Sequence, residues 1–191
     1  MNDTPDFPSL VYRIDAKNRI TWVNAAWSEF ARANHGEAVM PENVLGQDLF
    51  SSITGPALRQ IYRSIIERVR TGAVVNFTYC CDAPDKRRTF DMEVHLLPDG
   101  GQEFISTLKL EVVRPSVVVL EPGGVRSKQL IRVCSWCQKV AMPDGRWLPV
   151  EEAVAELRLM EALQLPGISH GICPPCRLAM MVQLSPSAAH H

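Results

Sequence analysis

The sequence predicts an α+β protein in which a five-stranded antiparallel sheet, with its helices on one face, is followed by a small module built around four cysteines. Two observations predict this fold class. The first is an order of patterns that runs strand, strand, helices and then three strands over the first 113 residues. The second is a pair of C-x2-C motifs in the last third of the chain. With 191 residues, the chain has room for one domain of about 150 residues and a small second one.

The first two strands are predicted to follow a flexible arm at residues 1–8. The segments LVYRID and ITWVN are rich in β-branched and aromatic residues, and the polar segment AKNR separates them. This pattern is typical of two strands joined by a turn. Asn24 is then placed to cap a helix that ends near Gly36.

A longer helix and three strands complete the predicted sheet. Pro56 lies in the first turn of the helix, in which apolar residues recur at three- and four-residue spacing. The segments VVNFTYCC, RTFDMEVHLL and EFISTLKLEV are each rich in strand-forming residues. The middle strand alternates, with four apolar residues on one face: Phe90, Met92, Val94 and Leu96. One face of the sheet is therefore expected to be core and the other to face water or a partner.

The segment 9–113 resembles a PAS domain, the small sensor fold of bacterial signalling proteins. The resemblance is carried by Y-x-I-D-x-x-x-x-I-x-x-V-N-x-x-W-x-x-F at 12–30, by the long helix ending at Gly72, and by F-T-Y-x-C-D-x-P and R-R-x-F-D-M between 77 and 92. It implies a PAS-like domain that senses a signal through the cavity between sheet and helices, and it implies a homodimer. An unrelated α+β domain with the same element order is the alternative.

Four aromatic residues are candidates to line such a cavity: Tyr12, Trp22, Trp27 and Tyr79. The alternative is that they are ordinary core residues, which is the more frequent role of aromatics in such patterns. The sequence argues against flavin, because nothing matches the reactive-cysteine motif that resembles G-x-N-C-R-F-L-Q. It also argues against haem, because the long helix carries no histidine to serve as an axial ligand and only His35 and His95 remain in this half. The organic ligand of the PAS-like domain, if it has one, is unknown.

Residues 114–130 are predicted to be a linker. Two prolines and the pair Gly123-Gly124 forbid a continuous helix there, so the signal is not expected to leave through a coiled coil. The apolar run VVVL in this linker has two interpretations, a short strand at a sheet edge or simple packing. Together with the PAS resemblance, this run also predicts a dimer.

Residues 131–182 form the predicted cysteine module, and 183–191 a tail. Four thiolates from Cys134, Cys137, Cys173 and Cys176 are the ligand set of a closed structural zinc site, and a module this small needs such a staple. The 35 residues between the two pairs exceed the spacing of a simple zinc ribbon. Two alternatives stay open, a thiol redox pair and a variant zinc site in which His170 replaces one sulfur.

The rest of the module is predicted to contain one amphipathic helix, VEEAVAELRLMEAL, with Val150, Val154, Leu157 and Leu163 near one face. Trp136, next to a ligand cysteine, is expected to cover the metal.

The remaining cysteines, Cys80 and Cys81, lie on a predicted strand. They are expected to be one buried packing residue and one partly exposed thiol, with a redox-active role as the weaker alternative.

The module resembles a C-terminal cysteine module that follows PAS, GAF or receiver domains in bacterial signalling proteins. The segments C-S-W-C-Q-K-V, D-G-R-W-L-P-V-E and S-H-G-I-C-P-P-C carry this resemblance. Pro175 departs from it, because an acidic residue is common at that position, but the four ligands are unaffected. The resemblance implies a signalling context without a defined chemical role for the module.

These observations predict a non-enzymatic signal-transduction protein of the cytoplasm, with a protein partner and no membrane segment. The net charge is −1, so no global field attracts nucleic acid. No apolar run approaches the ~20 residues of a membrane span, and the N-terminus does not resemble a signal peptide. No catalytic residue set and no nucleotide-binding glycine loop is recognisable.

Two other functions remain open at this stage. A zinc-dependent regulator that binds nucleic acid is one, although the segment from Arg126 onward has a net charge of only +2. A thiol redox switch that loses zinc on oxidation is the other.

Overall fold

The computed structural model of the chain describes residues 8–185. The predicted arm at 1–8, apart from its last residue, and the last six residues of the predicted tail lie outside this range. No helix in the described range is both long and apolar enough to cross a membrane.

The first part of the chain forms a five-stranded antiparallel sheet. Its strands are β1 (Leu10–Ile14), β2 (Ile20–Val23), β3 (Val75–Cys80), β4 (Lys86–Leu96) and β5 (Gln102–Val113). They lie in the order β2-β1-β5-β4-β3. The two longest strands, β4 and β5, pair along almost their whole length, from Lys86 opposite Val113 to Leu96 opposite Gln102. The chain therefore needs a crossover only where it passes from β2 to β3.

The crossover contains α1 (Ala25–Ala33), α2 (Pro41–Val44) and α3 (Pro56–Arg70). Asn24 caps α1 as predicted, because its side-chain oxygen accepts a hydrogen bond of 2.9 Å from the backbone N–H of Trp27. The helix α3 buries five apolar residues, at three- and four-residue spacing, against the inner face of the sheet: Leu58, Ile61, Ile65, Ile66 and Val69. A buried hydrogen bond of 2.9 Å from Gln102 Nε2 to the carbonyl of Ile66 joins α3 to the central strand β5. The prediction of a PAS-like α+β fold with its helices on one face is confirmed.

A second, four-stranded sheet forms the cysteine module. Its strands are β6 (Ser127–Cys134), β7 (Val140–Ala141), β8 (Trp147–Leu148) and β9 (Pro166–Gly171). The order is β8-β7-β6-β9, and β6 and β9 are parallel. Two helices, α4 (Val150–Glu156) and α5 (Pro174–Leu184), complete the module. The strand β6 begins inside the predicted linker 114–130, and α5 extends two residues beyond the predicted end of the module.

The VVVL run of the linker packs and adds no strand to a sheet. Residues Val118–Leu120 form one short 3-10 turn. Val117 and Val119 are buried in a second hydrophobic core together with Val133 and Val150. Two of the four side chains of this run are buried within the chain and the other two are partly buried, so the run gives little support to dimerisation.

The helix of the module is shorter than the sequence predicts. It ends at Glu156, and Arg158 has a left-handed backbone with φ of 51°. The chain therefore leaves the helical path before Leu163, which is fully exposed. The prediction that Leu163 shares a helix face with Val150 and Val154 is therefore wrong, because the helix ends before it reaches Leu163.

The two modules share a hydrophobic core and a group of ion pairs. Cys134, Trp136, Cys173 and Met180 of the second module belong to the same buried cluster as α3 and the inner face of the first sheet. The Arg114 side chain, at the end of the first sheet, pairs with Asp82 at 3.1 Å and with Glu151 of α4 at 2.9 Å. The cysteine module therefore lies against the PAS-like module along a continuous contact.

Candidate metal centre

The first C-x2-C pair forms a tight turn at the end of β6. Cys134 is the last residue of this strand, and its backbone N–H donates to the carbonyl of Lys139 at 2.8 Å. The N–H of Gln138 donates to the carbonyl of Cys134 at 2.9 Å, and Gln138 has a positive φ of 59°. The left-handed residue reverses the chain directly after Cys137, so that both sulfurs of the pair lie on the same side of the turn.

The second pair lies at the start of α5. Cys173 is the N-cap residue, Pro174 and Pro175 follow it, and Cys176 is in the first turn. The N–H of Arg177 donates to the carbonyl of Cys173 at 3.0 Å, which closes this turn. Proline suits these first positions, because a helix does not use the backbone N–H groups there. Residues three apart at a helix start lie on one side, so both sulfurs point the same way.

Parallel pairing of β6 and β9 brings the two cysteine pairs together. Cys134 lies opposite Gly171 in the register, and the N–H of Ser135 donates to the carbonyl of Gly171 at 2.9 Å. Because the carboxyl ends of parallel strands meet at the same edge, the turn after β6 and the helix after β9 begin side by side. This explains how a long intervening segment, with its own strands and helix, is compatible with one four-cysteine cluster.

The four sulfur atoms have the separation that a tetrahedral metal requires. The Sγ atoms of Cys134, Cys137, Cys173 and Cys176 all lie within 4.8 Å of one another. The distance from Cys137 Sγ to Cys173 Sγ is 3.7 Å. Zinc–sulfur bonds of about 2.3 Å in a tetrahedron place neighbouring sulfurs about 3.8 Å apart. The donor set and its spacing therefore fit a structural zinc ion.

The thiols of this cluster influence one another strongly. A hydrogen bond from the Cys137 thiol lowers the pKa of Cys134 to about 4, while burial opposes this shift and the N–H of Cys173 adds to it from 3.4 Å. The same thiol–thiol bond raises the pKa of Cys137. Burial raises the pKa of Cys176 to about 12. A divalent metal bound here would stabilise all four cysteines as thiolates.

His170 lies outside this cluster. Its side chain is exposed near the end of β9, and the four ligand atoms that lie together within residues 8–185 are all sulfurs. The alternative of a histidine ligand therefore has no support in the geometry.

Three of the four candidate cavity aromatics lie in the core of the PAS-like module. The ring of Tyr12 stacks on Phe104 with centroids 4.5 Å apart and meets the edge of Trp27 at 5.5 Å. The Tyr79 hydroxyl is 2.5 Å from Ser106 Oγ. These rings contact one another or their neighbours closely, so the space that they border is largely filled by their own packing.

Trp22 does not join the other three. Its side chain is 41% exposed, and the guanidinium of Arg13 lies 4.6 Å from the centre of its ring. Arg13 and Trp22 are paired on β1 and β2, on the outer face of the sheet. The prediction of Trp22 as a lining residue is therefore corrected: the alternation of the strand puts it opposite the core face.

The two histidines considered for haem are also outside the core. His35 is exposed after α1, and His95 is partly exposed on β4, where it bonds Glu93.

The remaining cysteines, Cys80 and Cys81, are both partly buried. Burial raises the pKa of each of these two thiols, so both are protonated at neutral pH.

Trp136 makes contacts that the sequence did not predict. It is expected to cover the metal, and its indole, 7% exposed, lies in one buried cluster with Cys134, Cys173 and the PAS-like core. Its ring centre lies 4.9 Å from that of Phe77 on β3 and 6.2 Å from that of Tyr62 on α3. An aromatic residue between two ligand cysteines indicates burial, but no signal in the sequence names the partners.

The fold and the sulfur cluster together define a PAS-like α+β protein with a second, four-cysteine module. The sequence matches no protein-family model and no curated protein. Several solved structures do match it, and each covers about half of the chain.

One match is a domain of a sensory box sensor histidine kinase/response regulator from Geobacter sulfurreducens, at 18% identity over 53% of this chain and 86% of that one, with a TM-score of 0.39. A second is the PAS domain of the quorum-sensing receptor RpfR from Cronobacter turicensis in complex with C12:0. It is 15% identical over 56% of this chain and 99% of that one, with a TM-score of 0.41. A third is the Aer2 receptor from Vibrio cholerae, described as a dual PAS-heme oxygen sensor. It is 16% identical over 53% of this chain and 95% of that one, with a TM-score of 0.38.

Proposed function

We propose that this chain is a non-enzymatic signal-transduction protein of the cytoplasm. Its PAS-like module would sense a signal or mediate dimerisation, and its cysteine module would hold zinc and contact a protein partner. The observation that carries the proposal is the cluster of four sulfurs within 4.8 Å, built into the edge of a PAS-like core. A metal bound here would link the turn after β6 to the start of α5, and both segments lie against the PAS-like core.

Cys134, Cys137, Cys173 and Cys176 are the residues that would hold the ion. Zinc bound by four thiolates supplies folding energy and no open coordination position, so it serves structure and not hydrolysis. Two of the ligands, Cys134 and Cys173, are buried in the shared core. The strongest structural consequence of zinc is therefore expected where the two modules meet.

Sensing is proposed for the space between α3 and the inner face of the first sheet, where a ligand would have to displace side chains that fill it in this structure. Tyr12, Tyr62 and Tyr79 all border this space, and burial raises the pKa of each hydroxyl. Neutral hydroxyls in an apolar setting favour an uncharged or weakly polar organic molecule. The signal itself is not identified by these residues.

A protein partner is supported by the surface of α5. Three apolar side chains, Leu178, Met181 and Val182, are 67%, 47% and 67% exposed. Leu178 lies three residues before Met181 and four before Val182, so the three side chains share one side of the helix. The chain has almost no net charge, and neighbouring exposed apolar residues on a helix are typical of protein contacts rather than phosphate binding.

Elemental analysis combined with native mass spectrometry tests the proposal. We expect one zinc ion per chain under reducing conditions and a dimeric mass. Cys173→Ser should lose the metal because a ligand is removed. Cys81→Ser is the matched control and should retain it. Absence of zinc from the reduced, unmodified protein would contradict the proposed metal centre, and a strictly monomeric mass at high micromolar concentration would contradict the dimer.

A further inference from the structure

The indole of Trp136 occupies a place in the PAS-like core that a bound molecule could take. It comes from the second module, yet it lies between Phe77 on the inner face of β3 and Tyr62 on α3. Only 7% of the residue is exposed. The PAS-like module is thus completed by an aromatic group that its own strands and helices do not supply.

The main chain around Trp136 is fixed to the end of β3. The N–H of Cys80 donates to the carbonyl of Trp136 at 2.7 Å. On the other side, Gln138 Nε2 donates to the carbonyl of Cys80 at 3.1 Å. These two bonds set the depth at which the indole enters the core.

The metal ligands control the same short segment. Cys134 and Cys137 lie on either side of Ser135 and Trp136, so the conformation that directs the indole inward is also the one that presents both sulfurs to a metal. The Sγ atoms of Cys137 and Cys173, one from each pair, lie 3.7 Å apart, and the pairing of β6 with β9 holds the two cysteine pairs side by side. The insertion of Trp136 and the binding of zinc are therefore coupled.

Withdrawal of Trp136 would leave a space with a definite chemical character. Phe77 and Tyr62 would form its aromatic walls. A flat aromatic molecule matches this lining. Indole itself is the simplest such molecule, because it reproduces the group that has left.

We infer that Trp136 is an intramolecular ligand of the PAS-like core, and that release of the metal opens a binding site for a planar aromatic molecule of about the size of indole. Control of the site by a metal rests on the proposed zinc centre, whereas the binding site itself rests on the position of Trp136 alone. The signal would then be read as competition between an internal aromatic group and an external one.

Indole binding, measured by calorimetry, tests the site. Trp136→Ala should bind indole at least about tenfold more tightly than the unmodified zinc-loaded protein, because the substitution vacates the space. Trp22→Ala is the matched control: it removes an exposed tryptophan and should not create binding. A folded, zinc-loaded Trp136→Ala protein that binds no indole would overturn the inference.

A second measurement uses the unmodified sequence and does not depend on how the alanine variant folds. Addition of a zinc chelator under reducing conditions should shift the tryptophan emission to longer wavelength and create indole binding. The shift should be absent in Trp136→Phe, which identifies the residue responsible. If the chelated protein shows neither change, metal control of Trp136 is wrong. If the purified protein holds no zinc, the proposed function fails, while the alanine variant still decides the binding site.

Discussion

Gln138 determines how the first cysteine turn meets β3. Its φ of 59° lies in the left-handed region, which costs an ordinary residue roughly 1–2 kcal/mol. Its side chain offsets part of this cost by donating to the carbonyl of Cys80. One residue therefore provides both the reversal of the chain after Cys137 and a bond between the modules.

Substitution of Gln138 tests these two roles separately. Gln138→Asn should lose the bond to Cys80 but tolerate the left-handed backbone, whereas Gln138→Val should lose both because a β-branched residue is strained there. We expect the valine variant to be less stable than the asparagine variant by about 1–2 kcal/mol, measured by denaturant unfolding of the zinc-loaded protein. Equal stabilities of the two variants would show that the backbone conformation is not under strain.

At the level of elements, ion pairs connect α4 to the first sheet. Glu151 in its first turn accepts from Arg114 at 2.9 Å and from Arg87 at 2.5 Å. Arg114 has only 6% of its side chain exposed and also pairs with Asp82 at 3.1 Å. A buried arginine needs such partners, since an unpaired charge is costly to bury.

The Glu151 carboxylate makes this contact dependent on pH. Burial raises the pKa of Glu151, but the hydrogen bonds from Arg87 and Arg114 outweigh this effect, so its pKa lies below the ordinary value of 4.5. A lowered pKa in the folded state means that the stabilisation is present above pH 4.5 and is lost as the pH falls through the folded-state pKa.

Glu151→Gln should therefore reduce the free energy of unfolding by about 1 kcal/mol at neutral pH, a modest value because the side chain is 37% exposed. The loss should diminish below pH 4.5, where the unmodified carboxylate begins to be protonated. Glu152→Gln, at the exposed neighbouring position, is the control and should change stability little. A loss that is the same at pH 7 and at pH 3 would contradict the assignment to the ionised carboxylate.

At the level of the whole molecule, the two modules share one buried core, so we expect them to unfold as a single cooperative unit. The inner face of the first sheet, α3, Trp136 and two of the four cysteines belong to one buried cluster. If the cluster holds zinc as proposed, its folding energy would reach α3 and β3 through this direct packing, with no need for a continuous helix between modules.

Hydrogen exchange can measure this connection. Removal of zinc should speed exchange of the Cys80 amide, which donates to Trp136, and of the amides of α3. Exchange at the β1–β2 hairpin should change less, because it lies at the opposite edge of the sheet. Cys173→Ser, which is expected to lack zinc already, should show no further change with chelator. Faster exchange confined to residues 127–184 would mean that the modules are independent.

Much of the fold could be predicted because its signals are local. Apolar spacing in α3, alternation along β4 and the cap at Asn24 each depend on neighbours within a few residues. The two C-x2-C motifs identified the candidate ligands for the same reason, since each pair is formed by a single tight turn. Leu163 and Trp22 show where local patterns mislead: one depends on where a helix ends, the other on which face of a strand is covered.

The sequence by itself determined the order of strands and helices in the PAS-like module, the four cysteines as candidate ligands and the near-neutral charge. Only the tertiary structure decided that β6 and β9 run parallel, so that the two cysteine pairs converge, and that Trp136 leaves the metal turn to enter the PAS-like core. The physical reason is the separation along the chain of the residues that interact. Spacing along the chain fixes what a turn or a helix face can do, whereas contacts between residues such as Tyr62 and Trp136 exist only when distant segments compete to bury the same apolar surface.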